Sequence, residues 1–199
     1  LFRSGIHELN TNWSSYEHVT DLGCVQEAFA TAFDRAITEQ ELAKFTDCFV
    51  GLLRKEQQQG TAVFREIAGA SAILKKLSAD PQWAVALATG GWKQSAQFKI
   101  ETAGIPAQNL PSAFAEDGPS RESIVLRAIE RAGGKFNRIV SIGDADWDVR
   151  TARRLGLPFL GVGGPRRAAR LRNEGASHVI ENYLDQDVFY RLLEVARIP

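Results

Sequence analysis

The hydrophobic period of this chain changes near residue 83, and the change limits the folds open to it. From there to the end, short apolar runs alternate with amphipathic segments. The runs predict strands over residues 83–88, 138–142, 158–162 and 178–180. The amphipathic segments predict helices over 93–103, 120–132, 165–173, a stretch ending at 155, and the last residues. Alternation of this kind is typical of an α/β fold, a doubly wound parallel sheet with helices on both faces.

The part before residue 83 shows helical periodicity and no convincing strand. Apolar residues recur at helical spacing from Val25 to Ala36 and again from Leu42 to Leu53, and a further helix is predicted over 70–77. This part therefore predicts an all-helical region beside the α/β region.

Composition narrows the class of protein. The 199 residues suffice for one to one and a half average domains, and 24 basic residues balance 24 acidic ones. The net charge thus gives no argument for a nucleic acid or a membrane as partner. The two cysteines form neither a disulfide framework nor a metal motif. We expect a cytoplasmic protein, and the sequence does not predict its oligomeric state.

A cluster of carboxylates follows the predicted strand 138–142, in the segment from Gly143 to Asp148. Ligands of parallel sheets bind beyond the carboxyl ends of the strands, and Mg²⁺ prefers oxygen ligands. Asp144 and Asp148, at i and i+4, are therefore candidate Mg²⁺ ligands. The alternative is that Asp144 caps the next helix while Asp146 and Asp148 offset its dipole.

Two further segments, one after a predicted strand and one at the start of a predicted helix, suggest anion binding. Thr89, Gly90 and Gly91 follow the predicted strand 83–88, where a hydroxyl and unobstructed backbone N–H groups can face an anion. The alternative is an ordinary glycine turn. Arg121 begins a predicted helix, where a cation is unfavourable, so either an anionic ligand or a nearby glutamate is its expected partner.

An excess of arginine marks the segment between Val149 and Asn173, which holds seven arginines and no acidic residue. A solvated helical face is the simpler interpretation, and attraction of phosphorylated substrates is the alternative.

The order of these features resembles motifs two, three and four of the haloacid dehalogenase-like (HAD) hydrolase superfamily: a hydroxyl–Gly strand end, a basic residue before a helix, then G-D-x-x-x-D after a strand. The helical region before them looks like that family's type 1 cap. The resemblance implies a Rossmann-like core over 1–9 and 69–199 and a helical cap over 10–68.

The resemblance also implies roles for single residues. Thr89 and the Gly90 amide would bind the phosphoryl group of a small phosphorylated metabolite, with Arg121 in place of the usual lysine. Asp144 would ligate Mg²⁺, and Asp148 would be a further ligand or an acceptor beside it. The implied activity is Mg²⁺-dependent phosphomonoester hydrolysis through an aspartyl-phosphate intermediate.

Four residues before the first cap helix are candidates for choosing the substrate: Tyr16, His18, Thr20 and Asp21. Capping of that helix is the simpler role for Thr20 or Asp21.

The family's first motif, D-x-D-G-T, supplies the nucleophile and the acid–base aspartate, and it is missing from the sequence. Residues 1–5 resemble the stretch that comes directly after that motif, so we expect the motif upstream of Leu1. A degenerate family member is the alternative. The arginine at 121 keeps the positive charge of the usual lysine but changes its reach.

Other functions stay open on the same fold. A haloacid dehalogenase needs no metal, and the carboxylate cluster argues against it. A non-catalytic phosphate- or Mg²⁺-binding protein, or one half of a complex, would lack the first motif. A dinucleotide-binding domain is less favoured, because residues 161–165 lack the full G-x-G-x-x-G pattern.

Overall fold

The computed structural model describes residues 6, 10–60 and 63–199. These residues form helices and parallel strands, which confirms the α/β class. The α-helices of the described part are α1 Asp21–Phe33, α2 Glu39–Gln58, α3 Ala70–Ala79, α4 Lys93–Thr102, α5 Arg121–Arg131, α6 Asp146–Leu155, α7 Pro165–Asn173 and α8 Gln186–Val195. The strands there are β1 Leu87–Ala88, β2 Ser112–Ala113, β3 Ser141–Gly143, β4 Phe159–Val162 and β5 Val179–Ile180.

The chain divides into two compact units. The first unit comprises Leu1–Arg65, Leu87–Ala103 and Ser112–Ala128. The second comprises Glu66–Ala86, Gly104–Pro111 and Ile129–Pro199. The cap boundaries expected from the sequence, 10–68, stay a prediction.

The helices of the first unit begin and end at recognisable signals. Thr20 and Thr38 cap α1 and α2 with their hydroxyls, and Glu41 completes a capping box at α2. Helix α1 ends where Asp34 adopts a left-handed conformation (φ 52°). The apolar spacing that predicted helix as far as Ala36 was therefore wrong at its end, since periodicity does not detect the terminating residue.

The first unit contains a two-stranded parallel sheet, with Leu87 opposite Ser112 and Ala88 opposite Ala113. The predicted strand 83–88 pairs only over its last two residues, and β2 was not predicted. Trp83 and Val85 instead pack against the core of the second unit. The prediction was too long because an apolar run indicates burial, which does not require pairing.

The second unit contains a three-stranded parallel sheet in the order β3-β4-β5. Its core joins residues of α3, β4, β5 and α8, including Ile73, Leu160, Ile180 and Phe189. Helix α7 has the predicted bounds, with Pro165 at its first turn. Strand β3 lies at 141–143 rather than 138–142. In the described part of the chain, no helix is long and apolar enough to cross a membrane.

Candidate active-site residues

The loop from Thr89 to Trp92 connects β1 to α4 in the first unit. The Thr89 N–H donates to the Ala113 carbonyl (3.0 Å), which continues the pairing with β2. The Ala115 N–H donates to the Gly91 carbonyl (3.0 Å). The loop thus leaves the carboxyl end of a parallel strand in a fixed conformation, at the place where such sheets bind ligands.

Three of the four N–H groups from Gly90 to Lys93 bind oxygens of the chain itself. The Gly91 N–H donates to Thr89 Oγ1 (3.1 Å), and the Trp92 N–H donates to Asp21 Oδ2 (3.0 Å). The Lys93 N–H donates to the Glu116 carboxylate (3.1 Å to each oxygen). The carboxylates of Asp21 and Glu116 therefore accept the N–H groups of Trp92 and Lys93 at the start of α4.

The Gly90 N–H is the exception. Gly90 is buried, and its N–H meets no acceptor among residues 6, 10–60 and 63–199. Buried backbone donors are nearly always paired, with protein, water or a ligand. This amide is therefore the donor of the loop best suited to bind an anion.

The Arg121 guanidinium lies against Gly90. Arg121 is the first residue of α5, and its Nη1 donates to the Val19 carbonyl (3.0 Å). A Cβ at Gly90 would lie 2.5 Å from Nη1, 3.1 Å from the Val19 oxygen and 3.2 Å from the Thr20 Cα. A Cβ here would displace the guanidinium and crowd the two backbone atoms, so glycine leaves room for Arg121 beside the loop.

Among the four candidates for substrate selection, Asp21 forms hydrogen bonds with this loop. Its N–H donates to the Gly90 carbonyl (2.6 Å), and its carboxylate accepts the Trp92 N–H. Burial raises the pKa of Asp21, while the Trp92 hydrogen bond and the charges of Lys99 and Arg121 lower it; the net shift is upward. Asp21 thus holds the start of α1 onto the loop.

The other three candidates form hydrogen bonds with residues close to them in sequence. Thr20 is buried, and its Oγ1 accepts the Gly23 N–H (2.9 Å), so the expected helix cap is observed. The Tyr16 hydroxyl donates to the Asn10 carbonyl (2.8 Å), and Tyr16 is also buried. The His18 carbonyl accepts the Thr20 N–H (2.8 Å). Substrate contact by any of the four stays a prediction.

In the second unit, the carboxylates follow β3 as predicted, but they do not form one cluster. The Asp148 carboxylate turns back on its own loop, where Oδ2 accepts the N–H groups of Asp144 and Ala145 (3.1 Å each). Helix α6 begins at Asp146 with Ala145 as N-cap. The alternative in which Asp144 caps the helix was therefore wrong.

Arginines of α7 neutralise the other two carboxylates. Arg167 Nη1 lies 2.6 Å from Asp144 Oδ2, and Arg170 Nη2 lies 2.6 Å from Asp146 Oδ2. About half of each side chain in the first pair is exposed. The expectation of a merely solvated arginine face was incomplete, because these two arginines supply the positive charge that adjacent carboxylates need.

Tyr183 follows β5 and lies near Asp144. Burial, with a smaller contribution from the charge of Asp144, raises the pKa of Tyr183 to about 12. The phenol therefore stays protonated at neutral pH and adds no negative charge beside the carboxylate.

The acidic loop fits Mg²⁺ through Asp144. Mg²⁺ takes one or two protein carboxylates and keeps several waters, and Asp144 offers a half-exposed carboxylate at a strand end. No group of three or more His, Cys, Asp or Glu in the described ranges is arranged to hold a metal. Asp148 fits the second of its predicted roles better, because its Oδ2 fixes the backbone on which Asp144 is carried.

Comparison with solved structures reveals the same fold in several proteins. A hydrolase from Pseudomonas syringae superposes with a TM-score of 0.62 and 23% identity, over 80% of this chain and 73% of that one. A phosphonoacetaldehyde hydrolase-like protein from Oleispira antarctica gives 0.61 and 18%, over 88% and 74%. A provisionally assigned beta-phosphoglucomutase from Bacteroides vulgatus gives 0.60 and 20%, over 90% and 72%.

No protein-family model and no curated protein sequence matches the chain. At these identities the structural likeness establishes the fold. The chain has the α/β fold of these three proteins, a Rossmann-like core accompanied by helices.

Proposed function

We propose that this chain belongs to a Mg²⁺-dependent phosphomonoester hydrolase of the HAD-like superfamily, in its phosphatase branch with a type 1 helical cap. The observation that carries the proposal is the N–H of the buried Gly90, which meets no acceptor within residues 6, 10–60 and 63–199, in a loop where Thr89 precedes it and the Arg121 guanidinium lies against it. The three solved structures support it, since they are named as hydrolases and a phosphomutase.

The Thr89 loop would bind the phosphoryl group of the substrate. The Gly90 N–H can donate one hydrogen bond to a phosphoryl oxygen. The Thr89 hydroxyl can donate a second, because among the described residues Thr89 Oγ1 acts as the acceptor of the Gly91 N–H and donates to no oxygen. Arg121 would supply positive charge beside the same amide. Fixed donors of this kind stabilise the charge that develops on the phosphoryl oxygens during transfer.

Asp144 would hold Mg²⁺, with Asp148 keeping the Asp144 backbone in place. When bound, Mg²⁺ supplies positive charge that offsets the repulsion between an anionic nucleophile and a phosphate. The aspartate nucleophile of the proposed aspartyl-phosphate pathway is expected before Leu1. Tyr16, His18, Thr20 and Asp21 are proposed to help select a small phosphorylated metabolite, and the protein is proposed to act in the cytoplasm.

The test is hydrolysis of an aryl phosphate by the protein expressed from its native start codon. We expect turnover that requires Mg²⁺ and stops when a chelator is added. Asp144→Asn should lower this turnover at least about 100-fold, since even residues that only support a metal ligand cost about 10–100-fold. The matched control is Asp146→Asn, which removes the same charge two residues away and should keep most of the activity.

Two results would contradict the proposal. Absence of turnover by the full-length protein would favour the non-catalytic phosphate- or Mg²⁺-binding alternative. Turnover that the chelator leaves unchanged would remove the metal from the mechanism.

A further inference from the structure

The ends of β3 and β4 bring Asp144 and Arg167 together within the second unit. These strands pair in parallel, with Gly143 opposite Gly161. Asp144 follows β3 directly, and Arg167 lies in the first turn of α7, which follows β4. Their 2.6 Å ion pair is therefore set by the register of the sheet.

The loop before α7 is shaped to hold this arginine. Gly163 has φ 153°, and a Cβ at Gly163 would overlap the Cβ, Cγ and Cδ atoms of Arg167. The aliphatic part of Arg167 thus lies on the bare glycine backbone, which directs the guanidinium toward Asp144. This support distinguishes Arg167 from a surface arginine that meets a carboxylate by chance.

The position of Arg167 in helix α7 also favours its pairing with a carboxylate. The first turn of α7 contains Arg166 and Arg167 and no acidic residue, an arrangement that the helix dipole disfavours. A carboxylate outside the helix offsets this positive charge. Asp144 is that carboxylate, and it is also the proposed metal ligand.

Resting on the proposed function, we propose that Arg167 is a positioning residue that competes with Mg²⁺ for the Asp144 carboxylate. In the metal-free protein the guanidinium neutralises and orients Asp144 through Oδ2. A divalent cation on the same carboxylate repels the guanidinium, so metal binding must displace or weaken the ion pair. Arg167 therefore lowers the affinity of the site for Mg²⁺.

The experiment is a calorimetric titration of Mg²⁺ into metal-free, full-length protein at fixed ionic strength, with no substrate present. Arg167→Gln should tighten Mg²⁺ binding about two- to fivefold, the range expected for removal of a half-exposed ion pair. Arg167→Lys should fall between wild type and Arg167→Gln. Arg166→Gln is the control, because it removes the same charge from the same helical turn and should leave the affinity within about a factor of 1.5. Asp144→Asn should abolish the binding.

Three outcomes would overturn the inference. An unchanged or weaker affinity in Arg167→Gln would show that Arg167 does not compete with the metal. An equal gain in Arg166→Gln would reduce the effect to general charge. Absence of any Asp144-dependent Mg²⁺ binding would remove the metal assignment as well. Failure of the proposed phosphatase activity is separate, since it is measured by turnover and this titration contains no substrate.

Discussion

Two strand-end loops, Thr89–Trp92 in the first unit and Gly143–Asp148 in the second, are held in different ways. The first is fixed by residues distant in sequence, since Asp21 binds both Gly90 and Trp92. The second is fixed by Asp148, three and four residues from the amides that it accepts. A loop that closes on itself depends on local sequence, whereas a loop held from afar depends on the folding of the whole unit.

This difference predicts that substitutions in the first loop cost more. Gly90→Ala should destabilise the protein by about 1–3 kcal/mol, because the new Cβ would displace the Arg121 guanidinium and crowd the Val19 oxygen and the Thr20 Cα. Gly51→Ala is the control, since Gly51 lies inside α2 with open space around it. It should stabilise by about 0.5–1 kcal/mol. Urea unfolding measures the change in stability of both variants. A gain in stability in both would contradict the close packing at Gly90.

Substitutions at Asp21 test whether its contact with Trp92 stabilises the protein through the hydrogen bond or through the charge of the carboxylate. Asp21→Ala should cost about 1–2 kcal/mol, because the buried Trp92 N–H loses its acceptor. Asp21→Asn keeps an acceptor and removes a charge that burial disfavours, so at neutral pH it should be at least as stable as wild type.

The pH dependence of Asp21 gives a sharper measurement. Its pKa is raised by folding, so the folded state holds the proton more tightly than the unfolded chain. The Asp21 contribution to stability is complete below the ordinary aspartate pKa and is lost as pH rises through the raised value. The advantage of Asp21→Asn over wild type, measured by urea unfolding, should therefore grow across that window. A constant difference would contradict the raised pKa.

The second loop should show the smallest effects. Asp148→Ala removes the acceptor for two N–H groups at the start of α6 and should cost about 1 kcal/mol, as for loss of a helix cap. Asp148→Asn, which keeps an acceptor oxygen, should cost only a few tenths of a kcal/mol. Thermal unfolding of the two variants measures the difference. A loss in Asp148→Ala that exceeds the loss in Gly90→Ala would overturn the comparison of the loops.

Sequence patterns predicted the helices well and the strands less well. Helix α7 has its predicted bounds because Pro165 and the apolar spacing are local signals. Strand β1 is shorter than predicted because strand pairing depends on a partner elsewhere in the chain, here Ser112–Ala113. For the same reason, the spacing of Asp144 and Asp148 could be read from the sequence, but the pairing of Asp144 with Arg167 could not.

The sequence by itself determined the α/β class and the candidate residues at three segment ends, and it indicated the helix cap at Thr20. Only the tertiary structure decided which N–H of the glycine loop meets no acceptor among the described residues and which arginine pairs with Asp144. Periodicity and capping act over a few residues and are therefore visible in sequence. The partners of Gly90, Arg121 and Asp144 come from segments far along the chain, and only folding selects them.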